Sequence, residues 1–188
     1  MRGSSDTPAG RTRLASVVLT VIGPDRPGIV ESIAGTLAAH GGNWEQSQMA
    51  HLAGQFAGIL RISVDAARLP ELRHALEGLA RSGLRVVSET CTELERPLAR
   101  TLRLELTGAD RQGIVHEIAR ALASRDINIE ELTTSFESAP MSGEGLFHAN
   151  ALLRVPARVN DRELQHALED IADDLMVDIS LRTPEPAA

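Results

Sequence analysis

The chain has 188 residues, room for one large domain or two small ones, and 43% hydrophobic with 24% charged residues excludes disordered and fibrous classes. All 19 basic residues are Arg, Tyr is absent and only Trp44, Phe56, Phe136 and Phe147 are aromatic, which excludes a lysine Schiff base or P-loop and argues against a reader of single-stranded nucleic acid. Net charge is −7, with 9 Arg against 9 acidic residues up to Leu94 and 10 against 17 beyond it, the wrong sign for direct binding to DNA phosphates.

Along the chain, residues 1–13 form a polar tail without an apolar h-region, and no later stretch approaches the ~18 apolar residues of a membrane span, so a cytoplasmic protein is expected. Ala15 to Ile22 is rich in Val and Ile and bounded by Gly23-Pro24, a strand. Ile29, Val30, Ile33, Ala34, Leu37 and Ala38 fall on helical spacing that ends at Gly41-Gly42. Trp44 to Leu52 and Gln55 to Val64 read as a hairpin turning at Ala53-Gly54, with Phe56 early in its second strand. Leu69, Leu72, Leu76 and Leu79 make a second helix, and Leu84 to Cys91 a last strand. Cys91, the single cysteine, excludes an intrachain disulfide and a site of several thiolates, and is expected as a buried, inert thiol in a reducing compartment.

The same order then returns. Leu19 to Glu45 aligns without a gap on Leu104 to Glu130, with 13 identities in 27 columns, and Arg73 to Glu77 (RHALE) returns as Gln165 to Glu169 (QHALE). The second copy predicts strands and helices at Leu102 to Leu106, Ile114 to Leu122, Ile127 to Phe136, Leu146 to Val155, Leu164 to Ile171 and Leu175 to Leu181, with a hairpin enlarged by Ser138 to Gly145. On its second helix Leu164, Leu168 and Ile171 should face the sheet, while the acidic cluster of Glu169 and Asp170, with Asp173 and Asp174 just beyond the helix, faces water. The predicted architecture is α+β: two tandem ferredoxin-like βαββαβ sandwiches at 14–93 and 99–183, a linker at 94–98 and tails at 1–13 and 184–188. A sheet with both helices on one face leaves the other uncovered. Pairing of sheets edge to edge, or through their open faces, is the expected completion, and it admits a homodimer.

The best repeated element is the turn between first strand and first helix, Gly23 to Gly28 and Gly108 to Gly113. Asp25 and Asp110 stand where an N-cap is wanted, and Pro27 suits a first helical turn. That reading needs no ligand. A second reading starts from the helix N-terminus, whose free amides attract a carboxylate while a neighbouring aspartate receives an ammonium group, so both ends of an α-amino acid are met. Gly28 and Gly113 let a ligand approach the backbone. Asn43 and Asn128, at the start of the next strand, could turn back toward the same spot or close the helix as Asx turns. Arg26 and Arg111 are read as solvent-facing or paired to acids, and Trp44 as buried in the hairpin core.

DRPGIV followed by NWE, and DRQGIV followed by NIE, on βαββαβ units resemble the ACT domain, a small-molecule-sensing module; the likeness spans about residues 14–183. Two such units without a catalytic domain, together with the run NWEQSQMAHLAGQFAGIL, resemble the glycine cleavage system transcriptional repressor family. The resemblance implies a non-catalytic regulator that senses an amino acid, glycine foremost, and acts through a protein partner such as a transcriptional activator, without touching nucleic acid or membrane and without cofactor or metal. It implies ligands at a domain interface, on Gly23, Asp25, Gly28 and Asn43 with Gly108, Asp110, Gly113 and Asn128. Gln112 in place of Pro27 and Ile129 in place of Trp44 weigh against two equivalent sites.

Other classes remain open. One is a detached ACT regulatory subunit of an amino-acid or one-carbon enzyme, such as a formyltetrahydrofolate deformylase or a phosphoserine phosphatase. A ligand-free interaction module is another. The six His (His40, His51, His74, His116, His148, His166) show no metal-binding spacing, GxSxG is absent and Cys91 has no repeated His partner, so catalysis is not expected.

Overall fold

The computed structural model describes residues 13–91, 98–138 and 145–184. The proposed linker residues Glu95, Arg96 and Pro97, most of the hairpin enlargement and nearly all of both tails lie outside them. The chain divides into two compact units, Met1–Leu94 and Glu95–Ala188.

Unit 1 runs β1 (Leu14–Pro24), α1 (Ile29–Ala39), β2 (Asn43–Leu52), β3 (Gln55–Asp65), α2 (Leu69–Gly78), a 3-10 turn over Leu79–Ser82, and β4 (Arg85–Thr90). Unit 2 repeats it with β5 (Ala99–Ala109), α3 (Ile114–Ala123), β6 (Asn128–Ser138), β7 (Gly145–Pro156), α4 (Asp161–Leu175) and β8 (Val177–Arg182). Both sheets are antiparallel, ordered β2-β3-β1-β4 and β6-β7-β5-β8. These are the βαββαβ sandwiches that the two hydrophobic periods dictate.

Alternation along each strand decides its faces. In β1, Val17, Leu19 and Val21 are buried while their neighbours are not, and in β3 Phe56, Leu60, Ile62 and Val64 lie on the same side. Against them pack Ile29, Ile33 and Leu37 of α1 and Leu72 and Leu76 of α2. Unit 2 builds the same core from Leu104, Leu106, Leu153 and Val155 under Ile114, Ile118, Leu122, Leu164 and Leu168. No charged or polar residue is buried among the described residues. The helices therefore cover one face of each sheet and leave the other open.

The β2–β3 turn has Ala53 and Gly54 both at positive φ (49° and 76°), the backbone a two-residue hairpin with native twist requires. Each sheet carries a bulge at its first hairpin, between Trp44 and Gln46 and between Ile129 and Glu131. The extra residue is a glutamate both times, paired with Arg61 (3.1 Å) and Arg154 (3.6 Å) on the adjacent strand.

Several expectations are corrected. Leu175 does not open the last strand; it is the buried last residue of α4, and Met176 in the left-handed region breaks the chain toward β8. Cys91 is half-buried just past β4, with its amide still donating to the Ser16 carbonyl of β1 (2.9 Å). Neither Asp25 nor Asp110 caps a helix: the cap positions are Gly28 and Gly113, and no side chain bonds the first-turn amides. Pro27 precedes the cap and lies outside the helix.

Candidate functional site

Both strand–turn–helix elements are built alike. The Asp25 amide donates to the Gly54 carbonyl (2.9 Å) and the Asp110 amide to the Gly145 carbonyl (2.8 Å), fixing each turn to the tip of its own hairpin. The chain then enters the helix through Gly28 (φ 88°, ψ 2°) and Gly113 (φ 99°, ψ −5°), a conformation costing an L-residue roughly 1–2 kcal/mol. Replacing Pro27 by Gln112 leaves this geometry unchanged. A Cβ placed on either glycine would find nothing within 4 Å, so both helix starts face open space. Asp25 and Asp110 are exposed beside them, with no side-chain hydrogen bond among the described residues.

The other half of the expected site is elsewhere. Pro24 pairs with Gln55 while Asn43 pairs with Ser63, so aspartate and asparagine stand at opposite ends of β3, separated by eight residues or ~26 Å. Unit 2 repeats the separation, with Ala109 opposite Leu146 and Asn128 opposite Arg154. One unit therefore does not bring Asp25 to Asn43, or Asp110 to Asn128. Among the described residues neither asparagine side chain has a hydrogen-bond partner, so neither closes an Asx turn. Trp44 lies on the helix-covered face, half-buried against the core with Nε1 donating to Ser47 Oγ (3.3 Å), while Asn43 follows the open face.

Gly23 and Gly108 are needed for a reason other than ligand access. A Cβ on Gly23 would lie 2.6 Å from the Gly83 carbonyl oxygen and 2.9 Å from Leu84 Cδ2, and one on Gly108 would run into Val177. They let the entry into the last strand lie close against the first strand. Arg26 and Arg111 serve the same junction: Arg26 Nη2 donates to the Ser82 carbonyl (3.2 Å) and Arg111 Nη1 to the Asp174 carbonyl (3.3 Å), each satisfying an otherwise orphaned acceptor where a helix ends.

One neighbour of the turn was not expected. In unit 2 the Phe136 ring lies where a Cβ of Gly145 would go, with Asp110 Cβ 3.4 Å from that point. The matching register position in unit 1 is His51, since Phe136 pairs with Phe147 as His51 pairs with Phe56. The signal was available in the matched hairpin columns, but only strand register shows that they flank the turn. A larger opening, about 500 Å³, lies between α3 and α4 and is lined by Arg111, Glu117, Arg120, Ile171, Asp174 and Leu175 among others; none of the expected site residues reaches it. Among the described residues no group of His, Cys, Asp and Glu could hold a metal ion, and no helix is long and apolar enough to cross a membrane.

Comparison with known proteins agrees with this architecture. Residues 15–87 match the model of the ACT domain family. The chain is 25% identical to the glycine cleavage system transcriptional repressor of Escherichia coli (strain K12) over 161 residues, 85% of each protein. A solved structure of an unknown protein from Galdieria sulphuraria is 32% identical, covers 92% of this chain and 100% of its own, and superposes with a TM-score of 0.84. A structure of a candidate glycine cleavage system transcriptional repressor, 22% identical with 92% and 99% covered, shares the fold at a TM-score of 0.69.

Proposed function

We propose, from the premise that this chain is a tandem ACT-domain protein related to the glycine cleavage system transcriptional repressor, that it is a non-catalytic regulator whose strand–turn–helix elements bind a free α-amino acid, glycine first among the candidates. It passes that signal to a protein partner and does not contact DNA. The observation that supports this reading is the turn itself, built twice: uncapped amides at a helix start, a left-handed glycine facing open space and an exposed aspartate without a partner. A carboxylate fits the amides and the positive end of the helix dipole, and an ammonium fits the aspartate. The acidity concentrated beyond Leu94 favours a protein partner over a phosphate backbone.

Asn43 and Asn128 enter the proposal differently. At ~26 Å from the aspartate of their own unit they are out of reach of the same small ligand, so they contribute only as the offering of a different copy of the βαββαβ unit. Titration calorimetry and thermal unfolding across the amino acids test the reading. A ligand at a hundred times its Kd adds ~2.7 kcal/mol of stability. Asp25→Ala should remove or weaken that response yet leave the unliganded melting temperature unchanged, since Asp25 caps nothing. Absence of stabilisation by any amino acid at millimolar concentration overturns the proposal.

A further inference from the structure

We propose that the open face of the first sheet is a dimerisation surface that packs on the same face of a second copy of this chain, strands antiparallel across a two-fold axis. Register places three rows on that face. They are Arg61, Val18 and Glu89; Ile59, Thr20 and Val87; and Ala57, Ile22 and Arg85, extended on β2 by Gln46, Gln48 and Ala50 respectively. Ile22, Ile59 and Val87 are 38%, 50% and 51% exposed. With Val18, Ala50 and Ala57 they make a contiguous apolar centre that nothing in unit 1 covers.

The second unit serves as an internal control. At the same register positions it carries Arg103 for Val18, Thr107 for Ile22, Ser135 for Ala50, His148 for Ala57, Asn150 for Ile59 and Ser180 for Val87. Only Leu152, in the place of Arg61, reverses the trend within these rows. These polar groups bond to one another: Thr107 Oγ1 with His148 Nδ1 (3.0 Å), Arg103 Nη1 to Asn150 Oδ1 (2.9 Å) and Arg182 with Glu105 (3.4 Å). The fold is thus built equally well with a polar open face, and the apolar one in unit 1 is not required for folding. An apolar centre rimmed by polar and charged residues is the pattern of an interaction surface.

The occupant follows from the rim. Along β4, Arg85 and Glu89 stand on either side of Val87, charges of opposite sign about the central row, and neither has a partner among the described residues. A two-fold axis lying across the strands at that row stacks Ile59, Thr20 and Val87 on their own counterparts and sets Arg85 of each copy over Glu89 of the other. The face is self-complementary in shape and charge, as an isologous contact demands. Twisted sheets pack face to face with their strands within ~30° of alignment. Four strands ~4.8 Å apart and seven residues long cover roughly 450 Å² per copy. Doubled, this is ~900 Å², below the ~1,200 Å² of standard specific complexes and within the range of weak, reversible ones, so the expected dimer dissociates on dilution.

Analytical ultracentrifugation of the full chain from 1 to 200 µM should show a concentration-dependent shift from 20.2 kDa toward twice that mass. A triple variant Ile22→Thr, Ile59→Asn and Val87→Ser borrows residues the second unit already uses at these positions, so it should keep its circular dichroism and lose at least tenfold in dimer affinity. Arg85→Glu or Glu89→Arg alone should weaken the dimer, and the two together should restore it. A wild-type chain that stays monomeric at 200 µM, a folded triple variant of undiminished affinity, or a double charge variant no tighter than the single ones overturns the proposal.

Discussion

The repeated turn contains glycines of two kinds, and substitution separates them. Gly28 needs its left-handed φ but has free space around it, whereas Gly23 has ordinary extended backbone and no space at all. Gly28→Ala should cost about 1–2 kcal/mol of backbone strain. Gly23→Ala sets a methyl against the Gly83 carbonyl, part of the backbone and unable to swing aside, so it should cost more, toward the ~3 kcal/mol seen for overpacked interiors. In a unit of this size each kcal/mol lowers the melting temperature by ~4–8 °C, so a thermal scan of the two variants ranks them directly. An equal loss in both would show that β1 and the turn at Gly83 and Leu84 can separate without penalty. The family resemblance groups Gly23 with Gly28 among the ligand residues, and both recur. Recurrence marks a constraint without saying whether its source is a torsion, a neighbour or a ligand.

Elements were more legible than the roles of the residues that join them. Periods of two and 3.6, duplicated in order, gave the strands and helices, most directly where β1, β3, β5, β7 and the four helices each bury one face against a core. Ends were harder: α4 continues through Leu175 because that residue still reaches the core, and α1 and α3 begin at glycine although an aspartate stands three residues earlier. One side-chain cap does exist. Asn160 Oδ1 accepts from the Arg162 amide (2.9 Å) at the start of α4, with Glu163 in the third helical position, a spacing visible in the sequence. Asn160→Ala should therefore cost ~1 kcal/mol, within the 0.5–2 range for lost caps. Asp110→Ala, on the other helix of the same unit, should cost nothing measurable because no cap bond is lost. Urea unfolding of both variants checks the contrast, and equal destabilisation would mean that the Asp110 carboxylate supports its turn after all. The two halves of the expected ligand site fall in this class too: Asp25 and Asn43 lie close in sequence, and only the antiparallel register of β3 reveals them to be a strand's length apart.

At the scale of the molecule, duplication produced two cores that share no residue. Leu19, Leu60, Ile62 and Leu72 belong wholly to one, Leu104, Leu153, Val155 and Leu164 wholly to the other. Units near 80 residues bury somewhat over ~60% of the surface of the unfolded chain, which suffices for many domains to fold alone. Residues 13–91 expressed alone should give native-like far-ultraviolet circular dichroism and a single cooperative transition, as should 98–184. In the full chain, Leu60→Ala removes buried volume at the centre of the first core and should cost 2–5 kcal/mol there. Because every atom it disturbs lies in unit 1, amide hydrogen exchange should accelerate for the protected strands β1 and β3 and stay unchanged for β5 and β7. Faster exchange in β5 and β7, or a 13–91 fragment that remains unfolded, would establish an energetic coupling between the units that neither core accounts for.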